Sequence, residues 1–107
     1  GGAVFHHIDL YSCSSSPGTV GAVVDCGTGM AACKDMLLSG GYSGTGQDLP
    51  DGVGLPVGPS NRYVMIQRHF YNLNKLTNVV DSGTGYQLWY TPTLRPNTMG
   101  RLSIIQG

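Results

Sequence analysis

The chain has 107 residues, with 17 glycines, 40% hydrophobic and only 11% charged side chains, and six basic residues balancing six acidic ones. That length fits one domain. So little charge beside so much glycine argues against long surface helices and for short strands joined by tight turns. No run of one sign offers a field for nucleic acid or an anionic membrane, and no apolar stretch nears the ~20 residues that span a bilayer.

The first element, VFHHIDLY at 4–11, reads as a strand with imperfect alternation, and it sets two of the three histidines side by side. Successive side chains of a regular strand point to opposite faces. His6 and His7 can therefore share one ion only across a local irregularity such as a bulge. SSSPGT at 14–19 is a loop, and GAVVDC at 21–26 is a short apolar run that reads as another strand. In MAACKDMLLSG at 30–40, Met30, Cys33, Met36 and Leu37 fall at helical spacing. This predicts a short helix or helical turn, ended by Gly40 and Gly41.

DLPDGVGLPVGPSN at 48–61 must turn, with Pro50-Asp51-Gly52 the strongest signal. Val53, Leu55 and Val57 alternate as a short edge strand, and Pro56 bars a central place for it. RYVMIQRHFYN at 62–72 is the clearest strand. Tyr63, Met65, Gln67, His69 and Tyr71 form one face, and Val64, Ile66, Arg68 and Phe70 the other. Two largely apolar faces suit a mid-sheet position. GYQLWYT at 85–91 and GRLSIIQG at 100–107 predict two further strands. The sum is an all-β chain, an antiparallel sandwich with one short helical turn.

Three cysteines, Cys13, Cys26 and Cys33, are an odd number. In a secreted domain they imply one disulfide and a thiol partnered elsewhere; in a cytosolic one, three buried thiols. No C-x-x-C, G-x-S-x-G, H-E-x-x-H or phosphate loop is present. The three GTG triplets read as turns. No N-x-S/T acceptor occurs, and the serines around Pro17 form a compositional candidate for O-linked sugar. The blandest reading leaves His6, His7 and His69 with no common role. An adjacent pair plus a third imidazole on a distant strand makes a three-nitrogen set, which suits copper or zinc. Asp9, two residues after His7, offers a carboxylate on the same strand face.

FHHIDLYSC resembles the HHM-x-L-(F/Y)-x-C segment of the copper type II, ascorbate-dependent monooxygenases, the family of dopamine β-monooxygenase and peptidylglycine α-hydroxylating monooxygenase. The resemblance continues in order through Cys26 and Cys33, LPDGVGLPVG, YVMIQRHFYN and DSGTGYQLWYTPTLRPNTMG, and the dopamine-type branch is the nearer. It implies that His6, His7 and His69 hold the electron-transfer copper, with ascorbate as external electron donor. It also implies a jelly-roll sandwich, a Cys13–Cys33 disulfide, and a partner for Cys26 upstream of the histidine pair. On this pattern, residues 1–107 resemble the later part of one N-terminal copper domain without its first strands. Missing strands or a neighbouring chain would complete the sheet. The family and the cysteines together point to the secretory pathway or the extracellular space.

There are departures from the family. Gly40 stands where the family has tryptophan, Arg68 replaces an apolar residue beside the third histidine, and Ile8 replaces methionine. The family's oxygen-activating copper needs an H-x-H pair and a methionine. No H-x-H occurs here, so hydroxylation would require a second copper domain elsewhere. The alternative is a non-catalytic extracellular module that keeps the sandwich and assembles through an open sheet edge, as a homo-oligomer or fibre.

Overall fold

A computed structural model of the chain describes residues 4–40, 46–59 and 61–100. In chain order its elements are β1 (Phe5–Cys13), α1 (Cys26–Gly29), β2 (Asp35–Gly40), β3 (Val53–Gly54), β4 (Tyr63–Phe70) and β5 (Asn97–Thr98). Among the described residues the regular structure is mostly strand, with one four-residue helix and an antiparallel sheet ordered β2-β1-β4. That is the all-β character expected of the sandwich class.

β1 is the central strand, and the core follows it. Val4, Ile8, Leu10, Cys13 and Cys33 are buried, together with the polar Asp9 and Ser12. Ser12 donates its hydroxyl to Asn61 Oδ1 at 2.7 Å, and Asn61 in turn donates to the Pro56 carbonyl at 2.7 Å. These bonds satisfy a buried hydroxyl that would otherwise destabilise the fold. Cys13 and Cys33 form a disulfide, as the family pattern implies, and Cys26 is a free, exposed thiol.

The helix expected within 30–40 is not there. Residues 35–40 are strand β2, and the helical turn lies earlier, at Cys26–Gly29. Two local causes account for it. Asp25 caps the turn by accepting the Gly27 N–H at 2.8 Å, a favoured start for a helix. The disulfide then fixes Cys33 to the end of β1, which lays the following residues along β1 with Leu38 opposite Leu10. Tertiary pairing overrides the weak helical spacing. β2 absorbs the mismatch at Leu37, where Leu10 pairs Leu38 but Tyr11 pairs Met36.

Other expectations also change. Residues 22–25 form no strand, and Val23 is exposed. The 53–57 strand shrinks to Val53–Gly54, which pairs in parallel with Asn97–Thr98; Pro56 cannot extend it. Within 85–91 no strand forms, and Trp89 and Tyr90 stay largely exposed. Alternation alone predicts faces, but a strand needs a ladder partner, and none reaches this segment among the described residues. The strand expected at 100–107 falls almost wholly outside the described residues. β4 is not mid-sheet; it is the edge of β2-β1-β4 among the described residues. Accordingly Val64, Ile66 and Phe70 on one of its faces are more than one-third exposed.

The segment after β4 is anchored at Tyr86. Asp81 Oδ1 accepts from the Thr84 hydroxyl at 2.7 Å and from the backbone N–H groups of Gly83 and Thr84. The hydroxyl bond foremost, with those N–H bonds, lowers the Asp81 pKa below its usual value. The resulting turn delivers Tyr86 onto the sheet, where its hydroxyl donates to the Ile8 carbonyl at 2.9 Å.

Candidate metal centre

The pairing of β1 with β4 explains how neighbouring histidines come to share a face. Phe5 pairs with Phe70, and His7 pairs with His69. Two steps along β1 answer one step along β4, so His6 is the extra residue of a β-bulge. Further along, Ile8 pairs with Arg68. Phe70 and Arg68 lie on one face of β4, which puts Phe5 and Ile8 on that same face although they are three residues apart. A regular strand would put them on opposite faces. The bulge absorbs the reversal and leaves both His6 and His7 on the face of His69. Beyond it the ladder resumes, with the Tyr71 N–H donating to the Val4 carbonyl at 2.6 Å.

The three rings converge. Their centroids stand 4.9 Å apart for His6–His7, 5.2 Å for His6–His69 and 4.5 Å for His7–His69. His7 Nδ1 lies 2.8 Å from His6 Nδ1 and 3.3 Å from His69 Nδ1. One nitrogen from each ring can be chosen so that all lie within 4.8 Å of one another. Three nitrogens bound at about 2.0–2.1 Å to one ion at tetrahedral angles sit about 3.3 Å apart. The Nδ1 of His7 is therefore already near ligand spacing from both neighbours, and the donor set fits a metal that accepts imidazole.

The surroundings are asymmetric. His6 is exposed, while His7 and His69 are half-buried. Tyr71 closes one flank, its ring 5.7 Å from His6 and 6.2 Å from His69. Beside His6 a shallow groove runs between Val4, Phe5, Tyr71, Leu73 and Leu76. On the inner side, Asp9 Oδ2 lies 3.4 Å from His7 Nε2. Ser39 on β2 donates its hydroxyl to Asp9 Oδ1 at 2.5 Å. The Tyr86 hydroxyl fastens the backbone between His7 and Asp9 at the Ile8 carbonyl. Burial, and secondarily the charge of Asp9, raise the Tyr86 pKa, so the phenol stays a donor. Two residues before His69, Gln67 donates to the Met30 sulfur at 3.1 Å.

Two departures from the family pattern resolve physically. Arg68 adjoins His69 in sequence but lies on the opposite face, its guanidinium 5.8 Å from the Phe70 ring centroid. It brings no positive charge into the histidine cluster. At Gly40, an added Cβ would meet Ile8 Cγ2 at 3.3 Å and the Tyr86 hydroxyl at 3.8 Å. The tip of Tyr86 thus covers the backbone where the family carries tryptophan.

Sequence reasoning brought forward all three histidines and Asp9. Ser39 lies in a stretch whose spacing reads as helix and Tyr86 in one that alternates as a strand, so the sequence points to neither. Tyr71 was legible, since it shares the alternating face of His69.

The sequence pattern of the family described as copper type II ascorbate-dependent monooxygenase, N-terminal domain, matches residues 2–77. DBH-like monooxygenase protein 2 from Homo sapiens is 29% identical over 93 residues, which cover 83% of this chain and 18% of that protein. The chain thus spans less than one-fifth of that relative's length. No solved structure matches. With its histidine doublet bulged toward a third imidazole and the family pattern running through most of its length, the chain belongs to the copper type II ascorbate-dependent monooxygenases, in the region of their N-terminal domain.

Proposed function

We propose that the chain holds one copper ion through His6, His7 and His69 and serves as the electron-transfer part of a copper type II monooxygenase. The observation that carries this reading is the bulge at His6, which turns two sequence neighbours onto the face of His69. Copper bound there would supply a one-electron step between Cu(I) and Cu(II), with ascorbate as the external donor. Three neutral imidazoles suit both oxidation states. The β1–β4 ladder fixes the backbones of His7 and His69, with His6 held in the bulge between paired Phe5 and His7, which would limit rearrangement on a change of charge. Exposed His6 and the groove beside it leave one side open to a small reductant. Hydroxylation would call on an oxygen-activating copper site carried by another domain.

The disulfide favours an oxidising compartment, the secretory lumen or the extracellular space. No helix among the described residues is long and apolar enough to cross a membrane.

The test is metal analysis and electron paramagnetic resonance on protein equilibrated with Cu(II) at neutral pH. The expected result is one copper per chain, with a type II signal that ascorbate bleaches. Sub-stoichiometric copper, or equal uptake by a variant with all three histidines replaced by alanine, defeats the reading.

A second reading, an assembly module that keeps the fold without turnover, is favoured by one observation. The edge strand β4 exposes Val64, Ile66 and Phe70 on one face. Light scattering across a concentration series separates the two. A monomer at all concentrations counts against assembly by strand addition.

A further inference from the structure

We infer that Asp9, held by Ser39, is a positioning residue that fixes the ring of His7 with its Nδ1 lone pair turned toward His6 and His69. This deepens the copper reading above and rests on it for its metal-binding consequence, although the Asp9–His7 pairing can be tested without any metal.

The argument begins with burial. Asp9 is 4% exposed, and a carboxylate so enclosed is tolerated only when its oxygens are partnered. Its two oxygens have different partners. Oδ1 accepts the Ser39 hydroxyl at 2.5 Å, and Oδ2 faces His7 Nε2 at 3.4 Å. The strands place all three. Asp9 follows His7 by two residues, so both lie on one face of β1, and Asp9 pairs directly with Ser39 of β2.

An ionised carboxylate can only accept. Facing that oxygen, the neutral imidazole of His7 is best served with its proton on Nε2, which leaves Nδ1 as the lone-pair nitrogen. That nitrogen is the one 2.8 Å from His6 Nδ1 and 3.3 Å from His69 Nδ1. At 3.4 Å the Asp9 contact is about 0.5 Å longer than a formed N–H···O bond, so the carboxylate acts on the ring as a facing charge that favours a proton on Nε2. Such carboxylate–histidine pairs orient metal-bound imidazoles and raise their basicity. Among the described residues His7 alone of the three has a carboxylate partner. It is also the ring whose Nδ1 is close to both of the others.

The test uses Asp9→Asn, Ser39→Ala and the double variant in the full chain. Circular dichroism and an intact disulfide verify folding. In metal-free protein at pH 8, imidazole nitrogen NMR should read His7 as the Nε2–H tautomer alone, with that proton slowed in exchange. In Asp9→Asn the slowed proton should disappear and the tautomers should mix. An unchanged His7 spectrum overturns the inference. With Cu(II), Asp9→Asn should bind 10–100-fold more weakly, and the double variant should lose no more than Asp9→Asn. Electron spin-echo modulation should show one remote imidazole nitrogen distinct in the wild type and levelled in the variant. Wild-type copper affinity in Asp9→Asn overturns the positioning role while leaving the copper reading intact. Failure of the wild type to take up copper sinks the copper reading, while the metal-free spectra still decide the pairing. Should Asp9→Asn not fold, Ser39→Ala carries the test. It should weaken copper several-fold and speed exchange of the His7 proton, and no change in either overturns the inference.

Discussion

Deleting one histidine from the doublet isolates the bulge. Removal of either His6 or His7 gives the same chain, in which VFHHIDLY becomes VFHIDLY. In the structure Phe5 pairs with Phe70 and His7 with His69. With the extra residue gone, consecutive residues on β1 would face consecutive residues on β4, and every pair from Ile8–Arg68 to Cys13–Tyr63 keeps its register. The ladder becomes regular. The deletion should therefore fold, with stability within about 1 kcal/mol of wild type, because the residue removed makes no ladder pair and is exposed.

Metal binding should respond very differently. Structural sites with four ligands reach roughly 10–16 kcal/mol of apparent binding free energy, or about 2.5–4 kcal/mol per ligand. At 1.4 kcal/mol per factor of ten, the loss of one imidazole from three weakens copper by roughly two to three orders of magnitude. His6→Ala keeps the bulge and removes the same ring, so it should lose as much. The assay is a competition titration against a copper chelator of known affinity, with urea unfolding run on the same samples. Wild-type affinity in either variant would show that the doublet does not act as a pair. A deletion that unfolds while His6→Ala remains folded would show that the bulge is more than one residue inserted into a regular ladder.

Three further outcomes are expected. Replacing Cys13 and Cys33 by serine opens a link with a sequence separation of 20 and should destabilise by about 3 kcal/mol on loop-closure grounds, read as a lower urea midpoint; an unchanged midpoint contradicts it. Tyr86→Phe removes the hydroxyl bond to the Ile8 carbonyl and should cost about 1 kcal/mol near neutral pH. The folded-state pKa of Tyr86 is raised, so its contribution is complete below the unfolded value near 10 and is lost as pH rises through the folded one; the alkaline fall in stability should be shallower in the variant, and parallel curves refute the assignment. Arg68→Leu should leave copper affinity within about twofold, because Arg68 lies on the face opposite His69; a larger change would show that its charge reaches the cluster.

The parts of the fold legible in the sequence are those where local pattern and pairing agree. Residues 62–72 alternate cleanly, and β4 forms there because β1 lies alongside it over eight paired positions. The parts that misled are those where a distant tie decides. Met30, Cys33, Met36 and Leu37 carry a helical spacing, yet the disulfide at Cys33 sets the next residues beside β1. Residues 85–91 carry strand residues in alternation but meet no ladder partner among the described residues, and Tyr86 is the one whose hydroxyl contact ties the segment to the sheet. Periodicity reports which face a residue would take. It does not report whether a partner strand arrives.

The convergence of the three histidines was more legible than the fold around them, and the reason is the doublet. Adjacent side chains on a strand diverge unless the backbone is deformed. A shared role for His6 and His7 therefore requires a deformed backbone before it requires a metal. The register supplies that deformation at one residue, between Phe5 and His7. Asp9 and Ser39 could not be ranked from sequence in the same way, since their link depends on β2 lying beside β1, in the stretch that reads as helix. With β2 in place, the bulge turns the rings together from one side and the Ser39–Asp9 pair faces His7 from the other. His6 contributes reach and exposure, whereas His7 contributes a fixed orientation. A copper site assembled this way should lose affinity when either histidine is changed, but only His7 should carry a spectroscopic mark of its carboxylate.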